Sequence, residues 1–253
     1  MKNAKDVNER IKGTAAYITA AVLAVFLTLF ARYADGNFSV NTPFHLTELS
    51  AELLMIVSVA VYLGRHGKEE KRSIKKHLLF AAIPVILALA ACFYVPEGYL
   101  SKSGAASAAD ILLSALTDDL ILCSLGCHIL LHKCRFGSSG VVLMVLCMSL
   151  YEAAICGQTG EKLLVHTAAA AIIGYFEIYL HLSTESPVFC CVFRFLLNFS
   201  LEFTEEYSVS DEPFFGEKTS AILYIASLSV MVVFAFILRN RLKMKRVYMD
   251  GEE

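Results

Sequence analysis

The chain is 253 residues long, 57% hydrophobic and has a mean hydropathy of +0.59, whereas an average soluble domain is about 45–50% apolar even with glycine counted. This excludes an ordinary water-soluble globule and makes lipid the expected solvent. A formal net charge of −2 excludes nucleic-acid recognition through global charge, and the cysteines, which lie mostly inside apolar runs, exclude a disulfide framework.

A spanning helix needs about 20 mostly apolar residues, and runs of that kind fall at 13–33, 45–64, 77–95, 107–132, 139–156, 162–182, 187–203 and 219–238. They predict an all-α, polytopic membrane helix bundle of about eight transmembrane helices, built as a single integral-membrane domain over residues 1–253. The first run follows Lys2, Lys5, Arg10 and Lys12 and lacks a small-residue cleavage site, so it reads as an uncleaved first span. Polar or breaker-rich connectors separate the runs: Asp35-Gly36-Asn37, the charged stretch from Arg65 to His77, Pro96-Glu97-Gly98, the turn from Phe136 to Gly140, Gly157 to Lys162, Ser183 to Pro187, and the acidic segment from Glu202 to Glu217.

Cationic loops resist translocation, so lysine and arginine mark the cytoplasmic side. The N-terminus, the loop from Arg65 to Lys76, Lys133 with Arg135, and the tail carrying Arg239, Arg241, Lys243, Lys245 and Arg246 fall on one side. Only Arg32, Lys102, Lys162 and Lys218 fall on the other. Both termini are therefore expected in the cytoplasm, with Glu205, Glu206, Asp211 and Glu212 facing outward. The Arg65–Lys76 loop reads as this topological signal, able to meet anionic headgroups, and not as a nucleic-acid patch. No cofactor or metal is expected. Cys123 and Cys127 read as small apolar side chains, and His128 and His132, whose spacing permits two-point ligation, lack a third ligand nearby.

Ionisable groups at membrane depth are costly and mark functional candidates. They concentrate in the second half: Asp118 and Asp119 in the fourth run, Glu152 in the fifth, His166 and Glu177 in the sixth, and Arg194 with Asn198 in the seventh. At ~1.5 Å per residue, Asp119 and Glu152 lie at a depth of roughly 20 Å from the cytoplasmic end, Asn198 near ~16 Å and Arg194 near ~10 Å. These depths allow one shared polar layer. Three pairs four residues apart, Asp119/Cys123, Met148/Glu152 and Arg194/Asn198, stack on single helical faces.

The segment YLHLSTESPVFCCVFRFLLN, Tyr179 to Asn198, resembles the HxxxN segment of the CPBP intramembrane proteases, the group of CAAX-processing prenyl endopeptidases and bacteriocin-processing or immunity proteins. Thr184, Ser186 and Pro187 stand at the family's offsets and Asn198 matches, but Arg194 occupies the histidine position. SALTDDLILCSLGCHILLHKCRFG resembles the EExxxR helix and its basic turn, with Asp118 and Asp119 for the glutamates and Cys123 for the arginine. VLCMSLYEAA resembles the FxxxH helix, with Met148 for phenylalanine and Glu152 for histidine. The likeness covers residues 110–200, within a core at about 107–203.

The resemblance implies a chemistry in which a glutamate activates water while histidine and asparagine orient it and stabilise an oxyanion. The substitutions dismantle that chemistry. An ionised carboxylate at Glu152 has no proton to donate, and arginine does not act as a base. Since Glu152 and Arg194 carry opposite charge, the sequence suggests that they pair, shared with Asp118 or Asp119. The expected function is then a pseudoprotease in a bacterial-type plasma membrane, surrounded by membrane lipids. It would bind a prenylated, hydrophobic or bacteriocin-like peptide or a membrane protein. Two competitors stand beside it: an active endopeptidase using Asp119 as base beside Asp118, and a proton-coupled transporter built on Asp118, Asp119, Glu152, Glu177, His166 and Arg194.

Overall fold

A computed structural model describes residues 2–38, 46–66, 78–91, 111–156, 159–199 and 216–249. All elements among these residues are helical, with no strand. They are α1 (Lys2–Phe38), α2 (Leu46–His66), α3 (Leu78–Ala91), α4 (Ile111–Lys133), α5 (Ser138–Ile155), α6 (Gly160–Thr184), α7 (Pro187–Asn198) and α8 (Glu217–Met249). Five stretches are long and apolar enough to cross a membrane: Val7–Tyr33, Ile111–Lys133, Ser138–Ile155, Gly160–Thr184 and Glu217–Leu242. Helices α3 and α7 are apolar but shorter. Their 14 and 12 residues reach about 21 and 18 Å, less than the ~30 Å hydrocarbon core. The rest of those two expected spans, 92–95 and 200–203, lies outside the described residues, as do most of the Arg65–Lys76 loop, Pro96–Gly98, Lys102 and the acidic segment with Glu205, Glu206, Asp211 and Glu212.

Two helices run beyond their expected ends. Helix α1 continues through Asp35, Gly36 and Asn37, since a lone glycine costs only about 1 kcal/mol in a helix. Helix α8 continues through the basic tail to Met249, because arginine, lysine and methionine are strong helix formers.

The chain forms two compact units, each assembled from two stretches: Met1–Lys68 with Leu100–Gly174, and Glu69–Tyr99 with Tyr175–Glu253. The division falls within α6, between Gly174 and Tyr175.

In the first unit α1 packs against α2, α4 and α5. The buried Tyr17 hydroxyl donates to the Leu122 carbonyl at 2.8 Å. Close helix approach depends on glycine: a Cβ at Gly126 would lie 2.9 Å from both Met144 and Tyr17. On α4, five-residue (π) spacing replaces the α-helical one over Asp118–Leu125 and Cys127–Lys133, and the Cys134 N–H closes the helix by donating to the Ile129 carbonyl. Runs of π-helix are rare and recur at functional positions.

In the second unit α3 lies against α8. The Phe80 and Phe234 rings meet at 4.9 Å and the Ser227 hydroxyl donates to the Pro84 carbonyl at 2.8 Å, so the two helices run antiparallel. Helix α7 begins as its sequence dictates: Ser186 caps it by accepting from the Phe189 N–H at 3.3 Å, and Pro187 occupies the first turn, where no N–H is needed. With Glu185 in the left-handed region at φ 51, the chain reverses and lays α7 back along the end of α6, bringing the Phe176 and Phe193 rings to 5.2 Å.

Candidate functional site

The sequence-predicted residues divide between the two units. Asp118, Asp119 and Glu152 belong to the first, Arg194 and Asn198 to the second.

Within the first unit, the packing register fixes heights. Gly140 abuts Leu131, and Gly126 abuts Met144, so α4 and α5 run antiparallel with paired residue numbers summing to about 270. Continuing that register puts Asp119 level with Tyr151 and Glu152. Helix α1 reaches the same height with Thr28, whose hydroxyl lies 3.4 Å from that of Tyr151. Helix α2 packs along Asp118–Leu125 and, past that segment, sets Tyr62 edge-on to His128 at 5.9 Å. The two helices thus run in the same direction, and stepping back about ten residues along each places Glu52 near the level of Asp119.

Every helix of this unit therefore contributes a polar group to one layer: Thr28, Glu52, Asp119, Tyr151 with Glu152, and His166. Asp119 is 0% and Glu52 3% exposed. Glu52 is the residue that sequence reasoning missed; it stands inside the second apolar run, and the same rule that selected Asp119 would have found it. The layer lies toward the end of the unit remote from the N-terminus, since Glu152 is three residues from the end of α5.

The side-chain contacts refine the expected pairings. Asp119 and Cys123 were paired on α-helical spacing, but in the five-residue register it is Ser124 whose hydroxyl donates to Asp119 Oδ2, at a long 3.4 Å. Met148 and Glu152 both face α6: Met148 packs against Gly174, and Glu152 Oε2 lies 3.6 Å from His166 Nε2. This contact is ionic only when the imidazole is protonated. Asp118 lies on the π-helical segment.

In the second unit the buried Arg194 faces Glu177, which is 0% exposed, at 3.7 Å. Asn198, one turn further along α7, is half-buried. Glu152 and Arg194, expected to pair with one another, thus each have an ionic partner inside their own unit, His166 and Glu177. The signal for both was present in the sequence, because His166 and Glu177 were among the intramembrane ionisable residues.

The layer of the first unit sets carboxylates, hydroxyls and an imidazole at one height, with contacts between Thr28 and Tyr151, Ser124 and Asp119, and Glu152 and His166. The pair in the second unit is a fixed charge couple, because a guanidinium does not give up its proton. Among the described residues no group of three or more His, Cys, Asp or Glu side chains could hold a metal ion. Outside the apolar spans, burial pushes the Cys134 thiol above its ordinary range; Lys133 opposes this, Glu9 adds to it and Arg10 opposes it.

No protein family, curated protein or solved structure matches the chain.

Proposed function

We propose that the chain is a plasma-membrane protein of about eight spans, with both termini cytoplasmic. In this reading it is akin to the CPBP intramembrane proteases, has given up peptide hydrolysis, and binds a hydrophobic peptide or a membrane partner. The observation that carries this reading is the Arg194–Glu177 pair, 3.7 Å apart and buried. At the position where the resemblance calls for a histidine able to donate and recover a proton, the chain keeps a permanent cation tied to a carboxylate. The other histidine position, Glu152, is likewise engaged, by His166. Side chains committed to charge pairs serve as struts for a binding surface better than as acids and bases.

Purified protein reconstituted in liposomes and offered membrane-anchored peptides should bind without cleaving them. Cleavage by the wild type that disappears in Asp119→Ala would overturn the reading and favour an endopeptidase using Asp119 beside Asp118.

One observation favours a second reading, proton-coupled transport: the layer that sets buried Glu52 and Asp119 at the level of Glu152 and His166. Its mark would be proton or solute flux in proteoliposomes that responds to membrane voltage and is lost in Glu52→Gln or Asp119→Asn.

A further inference from the structure

The geometry points to a binding site for one anionic phospholipid at the N-terminal end of α1, with the acyl chain along an apolar groove and the phosphate against Arg10. The groove, about 510 Å³, is lined by Val7, Ile11, Thr14, Ala15 and Ile18 of α1, with Arg10 and Phe136 at its edge. These α1 residues recur at helical spacing on one face. Val7, Ile11 and Ile18 are exposed, while the adjoining face, with Gly13 and Tyr17, is pressed against α4.

The groove's dimensions fit a chain within one leaflet. From Arg10 at the mouth to Ile18 the helix rises about 12 Å, most of one leaflet's half-share of the ~30 Å hydrocarbon core. Uninterrupted apolar sequence starts just past Lys12, so Arg10 lies at the boundary where headgroup gives way to chain.

Charge selects the headgroup. The Arg10 guanidinium sits over the Phe136 ring at 5.5 Å from its centroid, which holds it at the groove mouth by a cation–π contact. Phe136 is itself fixed in the turn after α4, where Arg135 adopts φ 52 and the Phe136 N–H donates to the Leu130 carbonyl at 2.8 Å. Lys12, Lys133 and Arg135 are exposed at the same end. Gly13 lets α1 touch Cys134, and the Cys134 thiol senses both Lys133 and Arg10, so the cations of α1 and of the α4 turn share one neighbourhood. Glu9 is the carboxylate among them. Among the described side chains at this end, Arg10, Lys12, Lys133 and Arg135 against Glu9 leave a cationic excess that a phosphodiester with net negative charge neutralises and a zwitterionic lipid does not.

The test is lipid retention. Full-length protein is reconstituted in nanodiscs of mixed phosphatidylglycerol and phosphatidylcholine, extracted gently, and weighed intact by native mass spectrometry. The wild type should retain phosphatidylglycerol in excess over its bulk fraction. Arg10→Gln should lower that enrichment about fivefold, and raised salt should weaken it. Ala15→Phe, which fills the groove while keeping every charge, should abolish it and so tests the site even if Arg10→Gln folds poorly. Lys218→Gln, at the start of α8, should leave it unchanged. The proposal fails if the wild type shows no enrichment, if Arg10→Gln and Ala15→Phe both retain it, or if Lys218→Gln loses it equally.

Discussion

The Arg194–Glu177 pair makes the sharpest prediction. At 3.7 Å and an effective dielectric of ~20, Coulomb's law gives an attraction of about 4.5 kcal/mol. Removing one member of a buried pair costs ~3–5 kcal/mol because the other charge is stranded. The separation exceeds hydrogen-bond length, which favours the lower part of that range. The two single substitutions should also differ. Glu177→Leu strands a guanidinium that cannot shed its charge, whereas Arg194→Met strands a carboxylate that can take up a proton. Glu177→Leu should therefore lower stability by about 3 kcal/mol or more, and Arg194→Met by less. The double variant Glu177→Leu/Arg194→Met removes both charges and should recover to within ~1 kcal/mol of wild type or above it. Reversible denaturant unfolding in bicelles, read by circular dichroism, measures all four corners of the cycle. Strictly additive losses, with the double variant worse than either single, would refute both the pair and the fixed-charge role assigned to Arg194.

Other consequences follow from single contacts. Gly126→Ala places a methyl 2.9 Å from Met144 and Tyr17 and should cost about 1–3 kcal/mol by overpacking; Met144→Ala in the same chain should relieve part of that loss in thermal unfolding. Ser227→Ala removes the hydroxyl bond to the Pro84 carbonyl and should cost ~0.6–1.5 kcal/mol, measured by the same unfolding. Because burial raises the Cys134 thiol, its maleimide modification, followed by mass spectrometry, should remain slow at neutral pH and keep accelerating past the ordinary thiol pKa of about 8.5. Arg10→Gln, which removes a cation that opposes the shift, should slow it further. The linked stability effect has a definite sign: above about pH 8.5 the unfolded thiol releases its proton while the folded one keeps it, so the contribution of Cys134 to stability falls as pH rises to the folded value.

The all-helical membrane character was legible because it is written in composition and in the length of the apolar runs, which need no knowledge of neighbours. Helix boundaries were less so. Asp35-Gly36-Asn37 has the look of a turn, yet α1 runs through it, since nothing there forbids helix. The face carrying Asp119 was read at α-helical spacing, and the π register of α4 made Ser124 its hydroxyl neighbour instead. The packing around that helix includes the close fit at Gly126 between Tyr17 and Met144, contacts more than a hundred residues apart for Tyr17. Charge partners were only partly legible. Opposite sign at two motif positions made Glu152 and Arg194 attractive partners, but sequence does not say which helix faces which; the hairpins α5–α6 and α6–α7 supply His166 and Glu177 as partners at shorter chain distance.

Those hairpins also explain why ionisable couples form here in two separate places, one buried at Glu177–Arg194 and one part-exposed at Glu152–His166. A tight reversal fixes the register of the two helices it joins, so residues at matched distances from the turn must meet. Glu177 and Arg194 stand eight and nine residues from Glu185 along their respective helices, and Glu152 and His166 lie eight and six residues from Gly160. Each couple can form as soon as its hairpin forms, before any more distant contact, and desolvation of each charge is offset by a neighbour already in place. Asp119 and Glu52 come to one level by a different route, since α2 and α4 are not joined by a tight hairpin and must be brought together by packing. On the transport reading the hairpin pairs are structural, and the long-range carboxylates hold the proton or ligand. Substitutions at Glu52 and Asp119 should change binding or flux more than stability, the reverse of the pattern at Glu177 and Arg194, and comparing unfolding with ligand or proton uptake for all four variants separates the two roles.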